Sequence, residues 1–243
     1  MMRKFTQSLV PILFTTISSF NTNNISKGFS SRLSRFHTTS LHAEFHVKTK
    51  FVLIETKHNG NVGAAARALK TMRFGDLALI RPNDERVLGR KKCIDGASGA
   101  KDVLNNAQIY NSVEEMVHGE KNLIVCGTGM PIDMSLARSG LKSTVAPRQY
   151  FEKIVEEYKV KGYNGSNDEC DENREGINIA FLFGNERYGM NAEDMAKCEV
   201  ILGIPTNPDF GSLNVASAVQ LIAYDWREAI GGFKYENEAN DES

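Results

Sequence analysis

Short apolar runs alternate along this chain with longer polar or amphipathic segments. Residues 51–54 (FVLI) and 77–80 (LALI) are two such runs, and residues 63–72 between them are rich in alanine, with no interior glycine or proline. The runs predict buried strands and the alanine-rich segment predicts a helix. Residues 59–61 (NGN) would supply the turn and the N-cap of that helix. A strand, a helix and a strand in about 30 residues predict a βαβ unit, and therefore a parallel sheet.

The remaining chain continues the same alternation, which places the fold in the α/β class. Apolar residues recur at helical spacing in the last predicted helix, namely Val215, Val219, Ile222 and Trp226. Strands are predicted at 123–126, 177–183 and 200–204, and helices within 90–104 and at 113–118, 147–160, 191–198 and 213–230. Residues 162–176 are predicted to form a solvated acidic loop, and residues 231–243 a disordered acidic tail.

Polar residues with glycine or proline follow several of the predicted strands. In parallel α/β sheets, ligands bind beyond the carboxyl ends of the strands. The segments at those ends are residues 58–61, 127–129, 184–187 and 205–208. We therefore expect these segments to face a ligand.

The charge of the chain is unevenly distributed. The 243 residues carry a formal net charge of -1, which by itself argues against a nucleic-acid partner. Residues 1–43 hold five basic residues, no acidic residue and 14 serines or threonines, which leaves 24 basic and 30 acidic residues in 44–243. This N-terminal composition is typical of an organelle transit peptide, and the apolar stretch at 9–20 is too short to span a membrane. We predict a targeting presequence over 1–43, for the chloroplast rather than the mitochondrion, with an uncleaved tail on a cytoplasmic protein as the alternative.

Metal and disulfide chemistry is not indicated. The four cysteines include no C-x-x-C pair, and the five histidines include no H-x-x-x-H pair. We expect buried or incidental thiols and no metal site.

Three short segments carry candidate chemistry, and each has a plainer structural alternative. In 61–67 (NVGAAAR), Arg67 could grip a phosphate or could be a surface residue on a packing helix. Residues 183–189 (FGNERYG) suggest a tight active-site turn or a polar connection, and they lack the Lys-Ser/Thr of a nucleotide-binding phosphate loop. In 204–214 (IPTNPDFGSLN), Ser212 lies near the predicted start of the last helix and could simply be its N-cap.

In this order and spacing, the three segments resemble the motifs of the SpoU/TrmH family of SPOUT methyltransferases, over residues 48–230. The matching positions are Asn61, Gly63 and Arg67; Gly184, Asn185, Glu186 and Gly189; and Ile204, Pro205, Ser212, Leu213 and Asn214. The chain is most similar to the TrmJ-like branch, which methylates the ribose 2'-hydroxyl of tRNA.

The resemblance implies an α/β parallel-sheet SPOUT fold with a C-terminal deep trefoil knot, an exception to the rule against knots. It also implies a homodimer that holds S-adenosylmethionine in the knot loops. The residues that would line the cofactor are Thr128, Gly129, Met130, Gly184, Ile204, Gly211, Ser212 and Leu213. The chain departs from the branch at residues 129–131, where a Ser-Ala-Arg-like run is usual, and at Gly211, where serine is common.

The implied reaction transfers a methyl group to a ribose 2'-oxygen. The family assigns removal of the hydroxyl proton to the first-motif arginine, here Arg67. A guanidinium keeps its proton near neutral pH, so we expect Arg67 to bind the adjacent phosphate and stabilise the developing alkoxide. Asn61, Ser212 and Asn214 would position Arg67 and the ribose, and Glu186 would orient an arginine or a partner loop.

Two other functions stay open: methylation of ribosomal RNA instead of tRNA, and a non-catalytic knotted module that binds RNA. TrmJ-like chains often carry a C-terminal extension that helps bind tRNA, whereas the residues after 230 here are few and acidic. Affinity for RNA would then have to come from local basic residues, because acidic tails do not bind phosphate. Residues 86–92 form the best basic cluster, with a solvated loop as the alternative.

Overall fold

The computed structural model describes residues 47–129, 144–163 and 176–233. Its centre is a sheet of seven described strands: β1 (Val47–Ile54), β2 (Leu77–Ile80), β3 (Gln108–Tyr110), β4 (Leu123–Gly129), β5 (Thr144–Val145), β6 (Ile177–Phe183) and β7 (Val200–Gly203). The order across the sheet is β3-β2-β1-β6-β4-β7-β5, and all six pairings are parallel. The α/β class and the parallel βαβ unit are therefore confirmed. Two late strands enter between earlier ones, since β6 pairs with both β1 and β4, and β7 with both β4 and β5.

Helices connect the strands and cover both faces of the sheet. They are α1 (Asn59–Thr71), α2 (Lys91–Ala97), α3 (Lys101–Asn105), α4 (Val113–Val117), α5 (Pro147–Tyr163), α6 (Ala192–Ala196) and α7 (Val215–Ala229), with a 3-10 turn at Val87–Gly89. Successive residues of β1 alternate between two apolar clusters, as the strand period of two requires. Phe51 and Leu53 join the cluster that includes α1, α5 and α7, whereas Val52 and Ile54 join the cluster that includes α4.

The last helix is held against the sheet by aromatic packing. Trp226 of α7 is fully buried and lies 5.2 Å from Phe151 and 5.9 Å from Phe181, measured between ring centroids in edge-on geometry. Its indole nitrogen donates a hydrogen bond of 2.9 Å to the hydroxyl of Thr49 in β1. Burying a side chain of this kind stabilises the fold by about 1.5–3 kcal/mol or more, so α7 is firmly fixed relative to β1 and β6.

Helices α1 and α2 cross with their backbones almost in contact. A Cβ atom added at Gly63 would lie 1.9 Å from the carbonyl oxygen of Cys93, and one added at Gly96 would lie 2.9 Å from the carbonyl oxygen of Gly60. The small residues of α1 therefore let another helix pack closely against it. The predicted start of this helix at residue 63 was wrong, because α1 begins at Asn59 and Gly63 lies inside it.

The structure corrects several predicted boundaries. Residues 59–61 do not precede the helix but form its first turn, after an N-cap at His58 whose side chain makes no capping bond. Residues 127–129 do not follow a strand but belong to β4. Residues 90–104 hold two helices, and α5 continues to Tyr163, into the segment predicted as a loop. The short strands β3 and β5 were not predicted, since each has only two or three residues and β3 is largely exposed.

Several predictions fall partly or wholly outside the described residues. Residues 1–43, the loop residues 164–175 and the tail residues 234–243 are among them.

Within the described ranges, no helix is long and apolar enough to cross a membrane. The same ranges contain no cluster of metal-ligating side chains. Three of the cysteines, Cys93, Cys126 and Cys198, are buried thiols, as predicted for them, and burial raises the pKa of Cys93 to about 11.

Candidate active site

The three sequence segments meet at one edge of the sheet. Residues 55–58 follow β1, residues 184–191 follow β6, and residues 204–214 follow β7. Because β1 and β6 are parallel neighbours, their carboxyl ends lie side by side. The convergence of these loops, expected from the sheet rule, is confirmed by direct hydrogen bonds between them.

Glu186 joins the loop after β6 to the start of α1. Its carboxylate accepts hydrogen bonds from the backbone N–H of Lys57 at 3.0 Å, from that of His58 at 3.2 Å, and from the side-chain amide of Asn61 at 2.9 Å. Partial burial opposes ionisation, but these hydrogen bonds prevail and hold the pKa of Glu186 below its usual value. The ionised carboxylate therefore bonds to the backbone just before α1 and to a side chain in its first turn, at the end of the helix where the dipole favours negative charge.

Asn61 extends this connection to the last helix. While its amide N–H donates to Glu186, its amide oxygen accepts a hydrogen bond of 3.0 Å from the side chain of Asn214. The oxygen of Asn214 in turn accepts from the backbone N–H of Ala216 at 2.9 Å and caps α7. One chain of hydrogen bonds thus links a residue from each of the three segments. The N-cap of the last helix is Asn214, so the alternative that Ser212 is this cap was wrong.

Asn185 is a site residue for which the sequence analysis proposed no role. Only 6% of it is exposed, and its amide N–H donates to the carbonyl oxygen of Glu55 at 2.7 Å, across the ends of β6 and β1. Its amide oxygen accepts from the backbone N–H groups of Arg187 and Tyr188 at 2.9 and 3.3 Å. The signal in the sequence was an asparagine at the start of a glycine-bounded turn, where this side chain commonly bonds to backbone two residues on.

The turn itself is as tight as predicted. Asn185 and Gly189 exchange two backbone hydrogen bonds, and Gly189 has a φ of 73°. A Cβ atom at Gly184 would lie 2.2 Å from backbone atoms of both Gly189 and Met190. Only glycine fits at position 184, because the chain folds back directly upon it.

Arg67 lies on α1 about two turns from the helix start. Its side chain is exposed and makes no hydrogen bond or ion pair with any residue that the structure describes. At helical spacing it shares a stripe with Gly63, which packs on α2, and with Lys70, whose ammonium bonds to Asp102 of α3 at 2.7 Å. Within the described ranges, therefore, all five of its N–H donors are available to a ligand.

The predicted cofactor residues occupy three different environments. Thr128 donates a hydrogen bond of 2.9 Å to the carbonyl oxygen of Leu182, and a Cβ atom at Gly129 would lie 2.9 Å from Ile201, so both positions are constrained by the sheet. Met130 lies outside the described residues. In the loop after β7, Ile204 and Gly211 are half-buried, whereas Ser212 and Leu213 are exposed. The hydroxyl of Ser212 forms no hydrogen bond to another residue in the described part of the chain.

A partly exposed arginine pairs with a buried carboxylate near the end of β2. Arg81, at the end of β2, donates to the carboxylates of Asp194 at 2.5 Å and of Glu55 at 3.3 Å. Asp194 lies in the first turn of α6 and is 3% exposed. Nothing in the sequence pattern indicated this pair, because its members are 113 residues apart.

The sequence and the fold of this chain are similar to those of known methyltransferases. The tRNA (cytidine/uridine-2'-O-)-methyltransferase TrmJ of Photorhabdus laumondii is 36% identical over 182 residues, which cover 74% of this chain and 64% of the relative. A probable methyltransferase from Bordetella pertussis superimposes with a TM-score of 0.62 at 28% identity, over 76% of this chain and 96% of that one. TrmJ from Z. mobilis gives a TM-score of 0.58 at 29% identity, over 78% and 73%.

The chain spans less than two thirds of the length of the curated relatives it matches first. The model of the SpoU rRNA Methylase family matches residues 48–224, which include all three site loops. This chain therefore belongs to the SpoU rRNA methylase family.

Proposed function

We propose that this protein is an S-adenosylmethionine-dependent RNA methyltransferase that methylates a ribose 2'-hydroxyl, in tRNA. The observation that carries the proposal is the hydrogen-bond chain from Glu186 through Asn61 to Asn214, which joins one residue of each motif. Arg67, on the same helix as Asn61, is exposed and makes no hydrogen bond or ion pair with the described residues. The choice of tRNA rests on the relatives that are named tRNA methyltransferases.

The loops suit the cofactor that this methylase family uses. After β7, the chain leaves Leu213 37% exposed and Phe210 78% exposed, which offers apolar surface to a flat adenine. The half-buried Ile204 and Gly211 and the free hydroxyl of Ser212 lie in the same loop, so backbone and hydroxyl groups can bond to the polar edges of a nucleoside. Gly129 at the exposed end of β4 and Gly184 at the end of β6 would offer their backbone N–H and C=O groups to the cofactor. When bound, S-adenosylmethionine supplies a methyl group on a sulfonium.

In the proposed reaction the ribose oxygen would take the methyl group from the bound cofactor, which would leave as a neutral thioether, and the hydroxyl proton would pass to solvent. Most of the rate gain comes from holding the reacting oxygen in line. Arg67 binds the phosphate next to the target ribose with its fork of donors and stabilises the negative charge that develops on the 2'-oxygen. Asn61 and Asn214 fix the start of α1 relative to α7. Ser212, two residues before Asn214 in the same loop, would donate to the ribose.

The test compares Arg67→Ala with Arg148→Ala, an exposed arginine on α5 paired with Asp225. We expect Arg67→Ala to lower methyl transfer to unmodified tRNA at least about 100-fold, since losing one donor to a developing oxyanion typically costs that much. Calorimetric titration of S-adenosylmethionine should give the same affinity in both variants and in the wild type. Preserved transfer by Arg67→Ala would refute the role of that residue.

Ribosomal RNA is the second candidate substrate, because the matched family is described as an rRNA methylase. Unmodified tRNA and rRNA presented in parallel to the wild type separate the two. A non-catalytic RNA-binding module is the remaining possibility. A wild-type protein that binds RNA but gives no heat with S-adenosylmethionine would establish it.

We also propose that the C-terminal segment is threaded as a trefoil knot and that two chains form a homodimer. The entry of β7 between β4 and β5, and the return of Asn214 to Asn61 beside β1, support the threading. Apolar side chains left exposed on α7, Leu221 at 42% and Tyr224 at 45%, support a partner surface. Sedimentation equilibrium of the full chain tests the dimer, since a monomer at micromolar concentration contradicts it.

For residues 1–43 we propose a targeting presequence, for the chloroplast in preference to the mitochondrion. Their acid-free composition supports it, and they lie outside the residues matched by the family model. The test is to fuse residues 1–43 to a fluorescent protein and image the fusion in plant cells beside plastid and mitochondrial markers. A diffuse cytoplasmic signal would contradict the proposal.

A further inference from the structure

Tyr188 is an exposed aromatic residue in the tight turn after β6. It is 66% exposed, although it lies two residues from Glu186, at the centre of the hydrogen-bonded site. A tyrosine ring combines an apolar face with a polar hydroxyl, and such rings are enriched where a protein contacts a ligand or a partner. An exposed ring this close to the site therefore suits contact with a ligand of the site.

The backbone beneath the ring is fixed. The buried amide of Asn185 accepts a hydrogen bond from the backbone N–H of Tyr188, and the same amide donates to Glu55 at the end of β1. The turn is closed by the paired hydrogen bonds between Asn185 and Gly189. The ring is thus presented by a rigid loop, so a ligand would not have to order the backbone on binding.

Two cations accompany the ring. The ammonium nitrogen of Lys57 lies 5.1 Å from the centre of the Tyr188 ring, and the guanidinium carbon of Arg187 lies 5.3 Å from it. The backbone N–H of Lys57 also donates to Glu186, which bonds to Asn61. The distance between the ring and this hydrogen-bonded pair is therefore no more than about the length of one lysine side chain. An aromatic face flanked by positive charge matches a nucleotide, which combines a flat base with a phosphate.

Building on the proposed function, we propose that Tyr188 is a stacking platform for an unpaired base of the RNA substrate, at or next to the target nucleotide. The base stacks on the ring, and Lys57 and Arg187 move from the ring to the flanking phosphates. Magnitudes favour this exchange, because the two exposed cation–ring contacts together contribute a factor of about 4 to 25 in an equilibrium, whereas one base stacked on an aromatic ring contributes about 5 to 150 and both cations gain a phosphate contact. The platform selects single-stranded or loop nucleotides, since bases in a helix have no free face.

The test uses the full chain and a 5'-fluorescein-labelled single-stranded RNA of about 12 nucleotides that contains one 2-aminopurine, with the matching duplex as a second probe. Anisotropy measures affinity, and quenching of 2-aminopurine reports stacking. We expect Tyr188→Phe and Tyr188→Trp to bind like the wild type. Tyr188→Leu keeps an apolar side chain but no ring, so it should bind the single strand about 5- to 150-fold more weakly, without quenching and without preference for the single strand.

Lys57→Gln is the matched control for charge, because it leaves the backbone N–H that bonds to Glu186. It should keep the quenching but reduce the dependence of log affinity on log salt by about 0.7, the loss of one phosphate contact to a single strand. Loss of quenching in Lys57→Gln with an unchanged salt dependence would count against the exchange of partners.

Equal affinity of Tyr188→Leu and the wild type overturns the proposal. The proposal is also overturned if Tyr188→Leu changes the sedimentation coefficient and the loss of RNA affinity follows from the altered oligomeric state. That result would assign Tyr188 to a contact between copies of this chain. A selective loss of S-adenosylmethionine affinity would place the ring on the cofactor instead. These readings need no methyl transfer, so failure of the wild type to methylate RNA refutes the proposed function without being confused with the stacking result.

Discussion

Replacing Glu186 by glutamine tests whether this carboxylate holds the start of α1. The carboxylate accepts three hydrogen bonds, from the backbone of Lys57 and His58 and from the side chain of Asn61. Glutamine has nearly the same shape, but it presents one amide N–H₂ where a backbone N–H already donates. The variant therefore removes a negative charge and replaces one hydrogen bond with an unfavourable contact between two N–H donors.

The magnitude follows from these contacts. Hydrogen bonds to a charged acceptor contribute about 1.5–3 kcal/mol each and neutral ones about 0.5–1.5, while a donor left without an acceptor costs about 1–3 kcal/mol. Loss of the negative charge at the helix N-terminus adds about 0.3–1 kcal/mol. Because the site is only partly buried, we expect Glu186→Gln to lower the free energy of unfolding by about 2–4 kcal/mol.

The pH dependence gives a second, independent reading. The pKa of Glu186 is held below the ordinary value of 4.5 in the folded state, so its stabilisation is fully present above that value and is lost as pH falls through the folded pKa. Urea denaturation near pH 7 and again near pH 3 should therefore show a difference between wild type and variant that shrinks on acidification. Glu85→Gln, an exposed glutamate in the 3-10 connection region, should differ from the wild type by less than about 0.5 kcal/mol. The reasoning is refuted if Glu186→Gln behaves like Glu85→Gln at both pH values.

Two further substitutions test other parts of the fold. Gly63→Ala should destabilise the protein by about 1–3 kcal/mol or more in thermal melts, since its Cβ would lie 1.9 Å from a backbone oxygen, whereas Gly60→Ala in the same helix meets nothing within 4 Å and should stabilise by about 0.5–1 kcal/mol. Equal effects of the two would contradict the close crossing of α1 and α2. Asp194→Asn removes the buried partner of Arg81, which is itself about one third exposed, and should cost about 1–3 kcal/mol in urea titrations. The exposed Asp95→Asn is its control, and a similar small effect in both would show that the pair contributes little.

The sheet and the long helix were predictable because burial there imposes a regular pattern. Residues 77–80 form β2 as predicted, and all four are fully buried. Val215, Val219, Ile222 and Trp226 are buried at helical spacing on α7, as predicted. By contrast, Gln108 and Ile109 of β3 are exposed, so no alternation of apolar and polar residues marks that edge strand.

The site was predictable in position but not in its hydrogen bonds. Parallel strands place their carboxyl ends together, which was enough to expect the three segments to meet. The start of α1 was misplaced because local rules assign capping to Asn59–Asn61, while the group that bonds there is Glu186, 125 residues from Asn61. Spacing along the chain carries no information about such a partner, which only the pairing of β1 with β6 brings within reach.

The contrast between fixed and free side chains at the site also settles how to interpret the charge of the chain. Glu186, Asn61 and Asn214 use their hydrogen-bonding groups on one another or on nearby backbone, so they hold the loops together at this edge of the sheet, whereas Arg67 and Tyr188 are exposed. Charges separated by more than about 8–10 Å are largely screened at physiological ionic strength. The net excess of acidic residues in 44–243 therefore says little about a phosphate bound at this edge. The proposed contact would depend on the local basic side chains: Arg67 makes no hydrogen bond or ion pair in the described part of the chain, and Lys57 and Arg187 lie over the Tyr188 ring.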